Sequence, residues 1–434
     1  MSLFRRSLPA VFAWIVAAIV ALAMPLESAV HGELAAAPPR ATAAFELRGL
    51  WVTRSWMTTP QKVVQVVDDA ARHGMTAIFV QVRGRGDAFY AGGPDPRAVL
   101  LGPQPADFDP LALLLQRAHA HGLEVHAWVN VNLVAGSTDL PRAAGHVVRS
   151  HPEWLMVPRE LAPALLRMNP SAPAYVTRLA AWSQRHVNRV EGLYTSPIPD
   201  AAQDHVVAVM RHLTERYPLD GVHLDYIRYP ASDFDYSRAA LDAFRASVVS
   251  DLPPADVARF DARLAREPLL YTDAFPQRWL AFRQGRLTTL VERVRATVRA
   301  ARPNARITTA VWPDAADAVG YKMQNWPAWL ASGLIDAVCP MMYTTSATTF
   351  QRQLADLSVH PSGTVWPGIG VYRIPSSEAA RRVSAARAAG FSGVLLFSYD
   401  SMTGGVGRPS AYLSSLRKGV FAGPPATAVS SSSR

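Results

Sequence analysis

Strand-like and helix-like segments alternate eight times along most of this 434-residue chain. Short apolar runs with strand character recur between stretches whose apolar residues are spaced as on one face of a helix. Eightfold alternation of this kind predicts an α/β fold of the (β/α)8, or TIM, barrel type. The predicted strands are residues 45–53, 77–83, 124–131, 222–227, 306–312, 335–343, 364–372 and 393–399.

Helix signals lie between these strands. Pro60 opens a stretch with Val63, Val66 and Ala70 on one face, and Gly74 ends it. The same reasoning predicts helices at 61–73, 111–121, 201–216, 276–302 and 377–389.

Two connections are longer than a barrel needs. Residues 133–218 separate the third and fourth strands, and residues 231–305 separate the fourth and fifth. Long loops after barrel strands commonly build the substrate cleft. We therefore predict a barrel with long insertions after strands three and four, with the site beside the fourth strand.

Composition narrows the function classes. The formal charge is +10, but the arginines are dispersed and no nucleic-acid motif is present, so we predict no nucleic-acid partner. Cys339 is the only cysteine, which excludes an intrachain disulfide. It has no cysteine or clustered histidine nearby in sequence, and we predict a buried thiol, no metal site and no cofactor.

The N-terminus has the pattern of an export segment. Arg5 and Arg6 precede the apolar run 8–26, and small residues follow. We predict a signal peptide or uncleaved anchor at 1–33, a linker at 34–44, the barrel at 45–416 and a disordered Ser-rich tail at 417–434. The protein would then be periplasmic or extracellular, and would touch the membrane only through an uncleaved anchor.

The fourth strand ends in the sequence LDGVHLDYIRYP, residues 219–230. Its Asp225 is a carboxylate on a buried strand, which is costly unless the group is paired or used. Barrel enzymes place catalytic groups at the C-terminal ends of their strands. We predict that Asp225 is the catalytic carboxylate; the alternative is an Asp that only holds Arg228 or caps the loop.

The last residues of the other strands should converge at the same mouth. They are rich in Trp, Tyr, Asn and Arg, side chains that stack on sugar rings and bind hydroxyls. Structural roles are the alternatives: a core position for Trp128, a satisfied core histidine for His223, and an Arg83–Asp87 ion pair. The predicted substrate-binding residues are Arg83, Trp128, Asn130, His223, Tyr226, Arg228, Trp312, Tyr343 and Tyr372, and the candidate second carboxylates are Asp87, Asp314 and Asp400.

Five segments resemble, in order, one known family: ELRGLWVT (46–53), VQVRGRGDAFY (80–90), HAWVN (126–130), DGVHLDYIRYP (220–230) and CPMMYT (339–344). This is the glycoside-hydrolase-like barrel family of bacterial envelope proteins, formerly a domain of unknown function. It includes a divisome-localised hydrolase of peptidoglycan glycans that lack stem peptides. The resemblance implies a (β/α)8 glycosidase acting on amino-sugar polymers, with Asp225 as the strand-four aspartate.

The sequence departs from some relatives at the next residue, where Tyr226 replaces a second Asp. Compared with the chitinase motif DGxDxDxE, Ile227 replaces the catalytic Glu. A glycosidase usually needs two carboxylates, although a substrate acetamide can act as the nucleophile, and the partner of Asp225 stays open.

The leading hypothesis is an exported glycosidase that cuts N-acetylated glycan, with peptidoglycan strands lacking stem peptides as the leading substrate and Asp225 as general acid. Two alternatives stay open. A more distant resemblance points to a hydrolase of partly deacetylated poly-N-acetylglucosamine. The two missing carboxylates favour a non-catalytic glycan-binding protein of the envelope.

Overall fold

The computed structural model of the protein describes residues 46–361 and 363–423. Over these residues eight parallel strands close into a barrel in which each strand pairs with its neighbours in chain order and the last pairs with the first. Each predicted strand overlaps an observed one, so the (β/α)8 prediction is confirmed. The strands are β1 (Leu47–Val52), β2 (Ala77–Arg83), β3 (Glu124–Asn130), β4 (Gly221–Asp225), β5 (Arg306–Val311), β6 (Ala337–Met342), β7 (Gly368–Gly370) and β8 (Gly393–Phe397).

One helix from each connection covers the outside of the barrel. Thr59 and Asp109 cap the first two helices, since their side chains accept hydrogen bonds from backbone N–H groups of the first turn. Proline at the first helical position of both adds to these start signals. The outer helices are α1 (Pro60–Arg72), α2 (Pro110–Ala120), α3 (Asp200–Arg216), α4 (Pro276–Ala301), α5 (Trp326–Ala331), α6 (Ala347–Leu357), α7 (Ser376–Ala388) and α8 (Ala411–Lys418).

Shorter helices occupy the connections. Six of the described ones lie in the two long insertions, and the other two follow β5 and β8. They are Val147–Ser150, Ala162–Leu165, Pro173–Arg185, Arg238–Val249, Pro254–Asp261, Leu270–Ala274, Ala315–Gly320 and Tyr399–Met402, with single 3-10 turns at Arg54–Met57, Val99–Leu101, Pro152–Trp154, Arg159–Leu161 and Val371–Arg373.

The ordered fold extends past the predicted boundary at residue 416. Helix α8 runs to Lys418, and Phe421 is fully buried. The guanidinium groups of Arg48 and Arg387 lie 5.0 and 5.6 Å from the centre of its ring, which holds the segment after α8 against the barrel. The predicted export segment (1–33), the linker (34–44) and the rest of the tail lie outside the described residues. In the described part of the chain, no helix combines the length and the apolar character that crossing a membrane requires.

The strands alternate between two environments. Outward residues such as Leu50, Val80 and Val222 are buried against the helices. Inward residues form a separate cluster that fills the barrel, and it contains Trp51, Phe79, Trp128, Cys339 and Trp366. The period of two therefore gives each strand one face for the helices and one for the lumen.

Glycines make room for the large rings inside the barrel. A Cβ atom on Gly368 would lie 2.8 Å from both the Trp51 ring and the carbonyl oxygen of Pro340. One on Gly221 would lie 2.3 Å from the ring of His126. These two positions need glycine because a neighbouring group occupies the space of the side chain.

The two insertions pack against each other. A second hydrophobic cluster joins Trp154, Leu155 and Tyr175 of the first insertion to Tyr236 and Phe244 of the second. The first insertion also forms a small antiparallel pair from Leu133–Ala135 and Leu193–Tyr194. The prediction of long insertions after strands three and four is confirmed, and together they form one body beside β3 and β4.

Substitution of Gly368 by Ala should destabilise the protein. The added methyl group meets backbone and an enclosed indole ring, and overpacking of this kind costs about 1–3 kcal/mol. Gly285 is the control, because it lies exposed inside α4 with no atom within 4 Å of its Cβ position. Gly285→Ala should raise the free energy of unfolding by about 0.5–1 kcal/mol. Urea denaturation measures the free energy of unfolding, which should fall in Gly368→Ala and rise in Gly285→Ala. Equal midpoints for the two variants would contradict the packing account.

Candidate active site

Asp225 is the last residue of β4 and lies directly across from Asn130, the last residue of β3. The indole N–H of Trp128 donates to Asp225 Oδ2 over 3.1 Å and to Asn130 Oδ1 over 2.9 Å. The backbone N–H of Tyr226 donates to Asp225 Oδ1 over 2.7 Å. Both carboxyl oxygens are thus held in place before any ligand arrives.

Asn130 is fixed in the same network. Its amide nitrogen donates to the carbonyl oxygen of Gly84 over 2.8 Å, and its Oδ1 also accepts from Gln81 over 3.3 Å. Asn130 is fully buried, which makes each of these bonds costly to lose. The polar residues at the ends of three neighbouring strands therefore form one connected group.

Burial raises the pKa of Asp225 to about 6, against the opposing effects of Arg228, the Tyr226 N–H and Trp128. Only 7% of the residue is exposed. A carboxyl group with this pKa carries its proton in mildly acidic solution and can give it up close to neutrality. Those are the properties of a general acid or base.

The chain turns sharply after Asp225. Tyr226 has a φ of +51°, a left-handed conformation that is rare for a residue with a large side chain. Its ring lies 4.6 Å from the guanidinium carbon of Arg228. The strained turn brings the backbone N–H of Tyr226 onto the carboxyl group of Asp225.

The second carboxylate of the site is Glu191, which lies just before the short strand Leu193–Tyr194. Arg228 Nη2 donates to Glu191 Oε1 over 2.8 Å, and the hydroxyl group of Tyr194 donates to Oε2. Burial acts to raise the pKa of Glu191, but Arg228 and Tyr194 outweigh it and hold that pKa below its usual value. Glu191 is therefore ionised where Asp225 can be protonated.

A cleft of about 470 Å3 opens above these groups at the C-terminal ends of the strands. Its walls are aromatic, with Tyr343 stacked on Phe397 at 5.0 Å between ring centres. Aromatic faces beside fixed polar groups suit a sugar polymer. The lining residues are Trp51, Thr53, Arg54, Ser55, Gln81, Arg85, Leu100, Trp128, Asn130, Glu191, Asp225, Tyr226, Arg228, Ala310, Trp312, Met341, Tyr343 and Phe397.

Most of the predicted site residues come together in this cleft. Besides Asp225, the lining includes Trp128, Asn130, Tyr226, Arg228, Trp312 and Tyr343. Trp128 is both a core residue and a site residue, since it belongs to the lumen cluster and also donates a hydrogen bond to the carboxyl group of Asp225. The structure thus assembles one site from residues spread over more than two hundred positions.

Arg83 lies in the wall of the barrel and not in the cleft lining. It is fully buried, donates to Asp95 Oδ2 over 2.6 Å and donates to the carbonyl oxygen of Asn130. Its ionic partner is thus Asp95, not Asp87. The register between β2 and β3 shifts after Gln81, and Arg85 lines the cleft where Arg83 was predicted.

His223 is a core residue of the barrel lumen. The indole N–H of Trp51 donates to His223 Nε2 over 3.1 Å, and Nδ1 is 2.9 Å from the hydroxyl oxygen of Thr308. Burial lowers the pKa of His223 well below its usual value, so the ring is neutral and Nδ1 carries the hydrogen. It lies beneath the cleft, without contacting it.

The remaining predicted residues lie around the cleft. Tyr372 is half exposed, with its ring against Tyr343 and Phe397. The three predicted second carboxylates each bond to nearby groups and are absent from the lining. Asp87 accepts from the Arg85 backbone, Asp314 caps the helix Ala315–Gly320, and Asp400 accepts from the hydroxyl groups of Thr53 and Ser55.

Glu191, Arg54 and Arg85 are the charged lining residues that sequence reasoning missed as site residues. Glu191 belongs to the first long insertion, where no strand period fixes which residues face the barrel. Arg54 follows β1 in a 3-10 turn. Arg85 lies two residues after Arg83, so the continued alternation of β2 was a usable signal.

The site pairs a protonatable buried carboxyl group with an ionised one in an aromatic cleft. That combination can protonate a leaving oxygen and stabilise positive charge that develops at a sugar carbon. Among the described residues, no group of three or more His, Cys, Asp or Glu side chains has the arrangement of a metal site.

Two curated relatives of this chain are named glycosyl hydrolases. Glycosyl hydrolase YngK of Bacillus subtilis is 26% identical over 330 residues, which cover 69% of this chain and 54% of that protein. Glycosyl hydrolase DigH of Escherichia coli K12 is 27% identical over 233 residues, 48% of each chain. The chain thus spans about half the length of the curated relatives it matches.

Solved structures show the same barrel. The glycoside hydrolase domain of PgaB (BpsB) from Bordetella bronchiseptica superposes with a TM-score of 0.57 at 15% identity, over 82% of this chain and 95% of that one. The catalytic domain of β-amylase from Paenibacillus polymyxa gives 0.54 at 12% identity, over 88% and 99%.

A family model described as glycosyl hydrolase-like 10 matches residues 46–389, which include every strand except β8 and every charged residue of the cleft. The chain belongs to the glycosyl hydrolase-like 10 family.

Proposed function

We propose that this protein is a glycosidase that hydrolyses glycosidic bonds in N-acetylated amino-sugar glycan. The observation that carries the proposal is the carboxyl group of Asp225, buried in an aromatic cleft with a pKa raised to about 6. Membership of a glycosyl hydrolase-like family supports the same chemistry.

The mechanism follows from the two carboxyl groups. Asp225 donates its proton to the glycosidic oxygen as the bond to the leaving sugar breaks. A water molecule then adds to the anomeric carbon of the other sugar, and the proton it releases restores the acid form of Asp225. Ionised Glu191, held by Arg228, stabilises the oxocarbenium-like charge on the other sugar. Trp128 and the Tyr226 N–H then hold Asp225 as it becomes a carboxylate, since hydrogen bonds to the charged form are the stronger ones.

The charges of the cleft favour an anionic glycan. Arg54, Arg85 and Arg228 line it, against Asp225 and Glu191. Two buried guanidinium nitrogens of Arg228, Nε and Nη1, have no hydrogen-bond partner among the residues that the structure describes. Such groups suit a carboxylate or carbonyl oxygen of the substrate.

The proposed substrate is therefore peptidoglycan strands that lack stem peptides, whose muramic acid units expose free lactyl carboxylates. Partly deacetylated poly-N-acetylglucosamine carries amines, and the three arginines would repel them. The export pattern at the N-terminus supports a site of action outside the cytoplasm, where this polymer lies.

Asp225→Asn should abolish cleavage, because the amide cannot donate the proton that leaves with the sugar. Asp87→Asn is the matched control: its carboxylate bonds to the Arg85 backbone and is not part of the lining, so cleavage should continue. Digestion of purified sacculi, before and after amidase removes the stem peptides, with mass spectrometry of the soluble products, compares the two. Disaccharide-repeat fragments released by Asp225→Asn would refute the assignment.

The rate should fall with rising pH. Because the pKa of Asp225 is raised to about 6, its proton is present below that pH and is lost above it. We expect kcat/KM on stripped strands to fall about tenfold per pH unit above pH 6. A rate that rises through pH 6 would instead mean that Asp225 works as a base.

Arg85→Gln should weaken binding of stripped strands while sparing neutral chitin oligomers. Loss of one charged contact in the cleft should raise KM for the anionic strands about tenfold with kcat little changed. Equal changes in KM for both polymers would mean that Arg85 does not bind the carboxylate of the muramic acid. Tighter binding of glucosamine-containing polymer by the wild type would favour the poly-N-acetylglucosamine alternative.

A further inference from the structure

A second cavity of about 470 Å3 shares the Trp312 wall with the catalytic cleft. It lies between the segment after β5, helix α5 and helix α6. We call it the accessory cavity; the residues that matter for its chemistry are Trp312, Asp314, Asp317, Trp326, Gln353 and Asp356.

Trp312 is a fixed and accessible partition between the two spaces. Trp312 is 36% exposed, and its backbone N–H donates to Gln324 Oε1 over 3.0 Å. The ammonium group of Lys322 lies 5.0 Å from the centre of its ring and donates to the carbonyl oxygen of Pro230. A sugar stacked on this indole would touch both the cleft and the accessory cavity.

Two residues that line the accessory cavity carry a buried polar atom with no partner among the described residues. These atoms are the indole N–H of the fully buried Trp326 and Oε1 of Gln353. Buried polar groups are nearly always satisfied, so an orphan donor and an orphan acceptor in one cavity need an explanation. A secondary amide offers the complement of both, a carbonyl oxygen and an N–H.

The charges of the accessory cavity are opposite to those of the cleft. Asp314, Asp317 and Asp356 make no ion pair within the described residues, and Arg352 is the only arginine in the lining. Burial lowers the pKa of His360, so this ring adds no positive charge near neutrality. The excess of carboxylates therefore disfavours an anionic sugar here.

We propose that the accessory cavity is a subsite for a neutral N-acetylated sugar, whose acetamide group bonds to Trp326 and Gln353. This rests on the proposed function and extends it. A strand of alternating sugars would place an anionic muramic acid among the arginines of the cleft, and an N-acetylglucosamine unit beyond Trp312. The two cavities then set the register of the strand over Asp225.

The test is calorimetric binding of an N-acetylglucosamine tetramer and of the corresponding glucosamine tetramer. Gln353→Leu removes the acceptor, and Trp326→Phe removes the donor while keeping an aromatic ring. Gln351→Leu is the matched control, because it lies exposed on the same helix and does not line the cavity. Each cavity variant should weaken binding of the acetylated tetramer about three- to tenfold, and the control should not change it.

The kinetic readout separates this subsite from the catalytic proposal. On stripped strands, Gln353→Leu should raise KM with kcat unchanged, as expected for a residue that positions the strand. Unchanged affinity of both cavity variants for the acetylated tetramer would overturn the subsite. The subsite would also be overturned if the wild type bound the glucosamine tetramer more tightly than the acetylated one and the same variants weakened that binding. Failure of the wild type to cut any strand would refute the proposed function, while the tetramer data still decide the subsite.

Discussion

The indole N–H of Trp128 is shared between Asp225 and Asn130, and the organisation of the cleft depends on this contact. It joins the ends of β3 and β4 through side chains, in addition to the backbone pairing of the two strands. It also offsets part of the cost of burying a carboxyl group. Without such donors the pKa of Asp225 would lie higher still, and the group would be a poor proton donor near neutrality.

The charges of the mouth are arranged so that the two carboxyl groups take different protonation states. Glu191 keeps its negative charge because Arg228 pairs with it directly. In the described part of the chain Asp225 has hydrogen bonds but no directly bonded cation, so burial dominates its titration. Two carboxyl groups in one cleft thereby acquire different chemistry from their surroundings alone.

The barrel and the Asp225 side of the site could be predicted from the sequence, because strand periodicity fixes both. In a parallel barrel, the residues that end each strand face the same mouth, so Trp128, Asn130 and Asp225 follow from counting along β3 and β4. The same counting does not show how far along β2 the cleft begins: Arg83 lies in the barrel wall, and Arg85, two residues later, lines the cleft.

The other carboxylate could not be found in this way. Glu191 comes from an insertion whose position depends on packing between two distant segments, and no local pattern records that packing. His223 illustrates the opposite difficulty. It has the right residue type and faces the lumen, but it lies one step lower than Asp225, where Trp51 and Thr308 satisfy it.

The lumen itself has a consequence for how such proteins diverge. Phe79 stacks on His126 with ring centres 4.2 Å apart, and Trp51 fills the space that Gly368 leaves open. This interlocked layer fills the barrel below the mouth, so the strands are packed against one another beneath the loops. Insertions and charge changes at the mouth can therefore accumulate without loss of the scaffold. Substitutions at the mouth can change which polymer is recognised while the aromatic cluster in the lumen keeps the barrel intact.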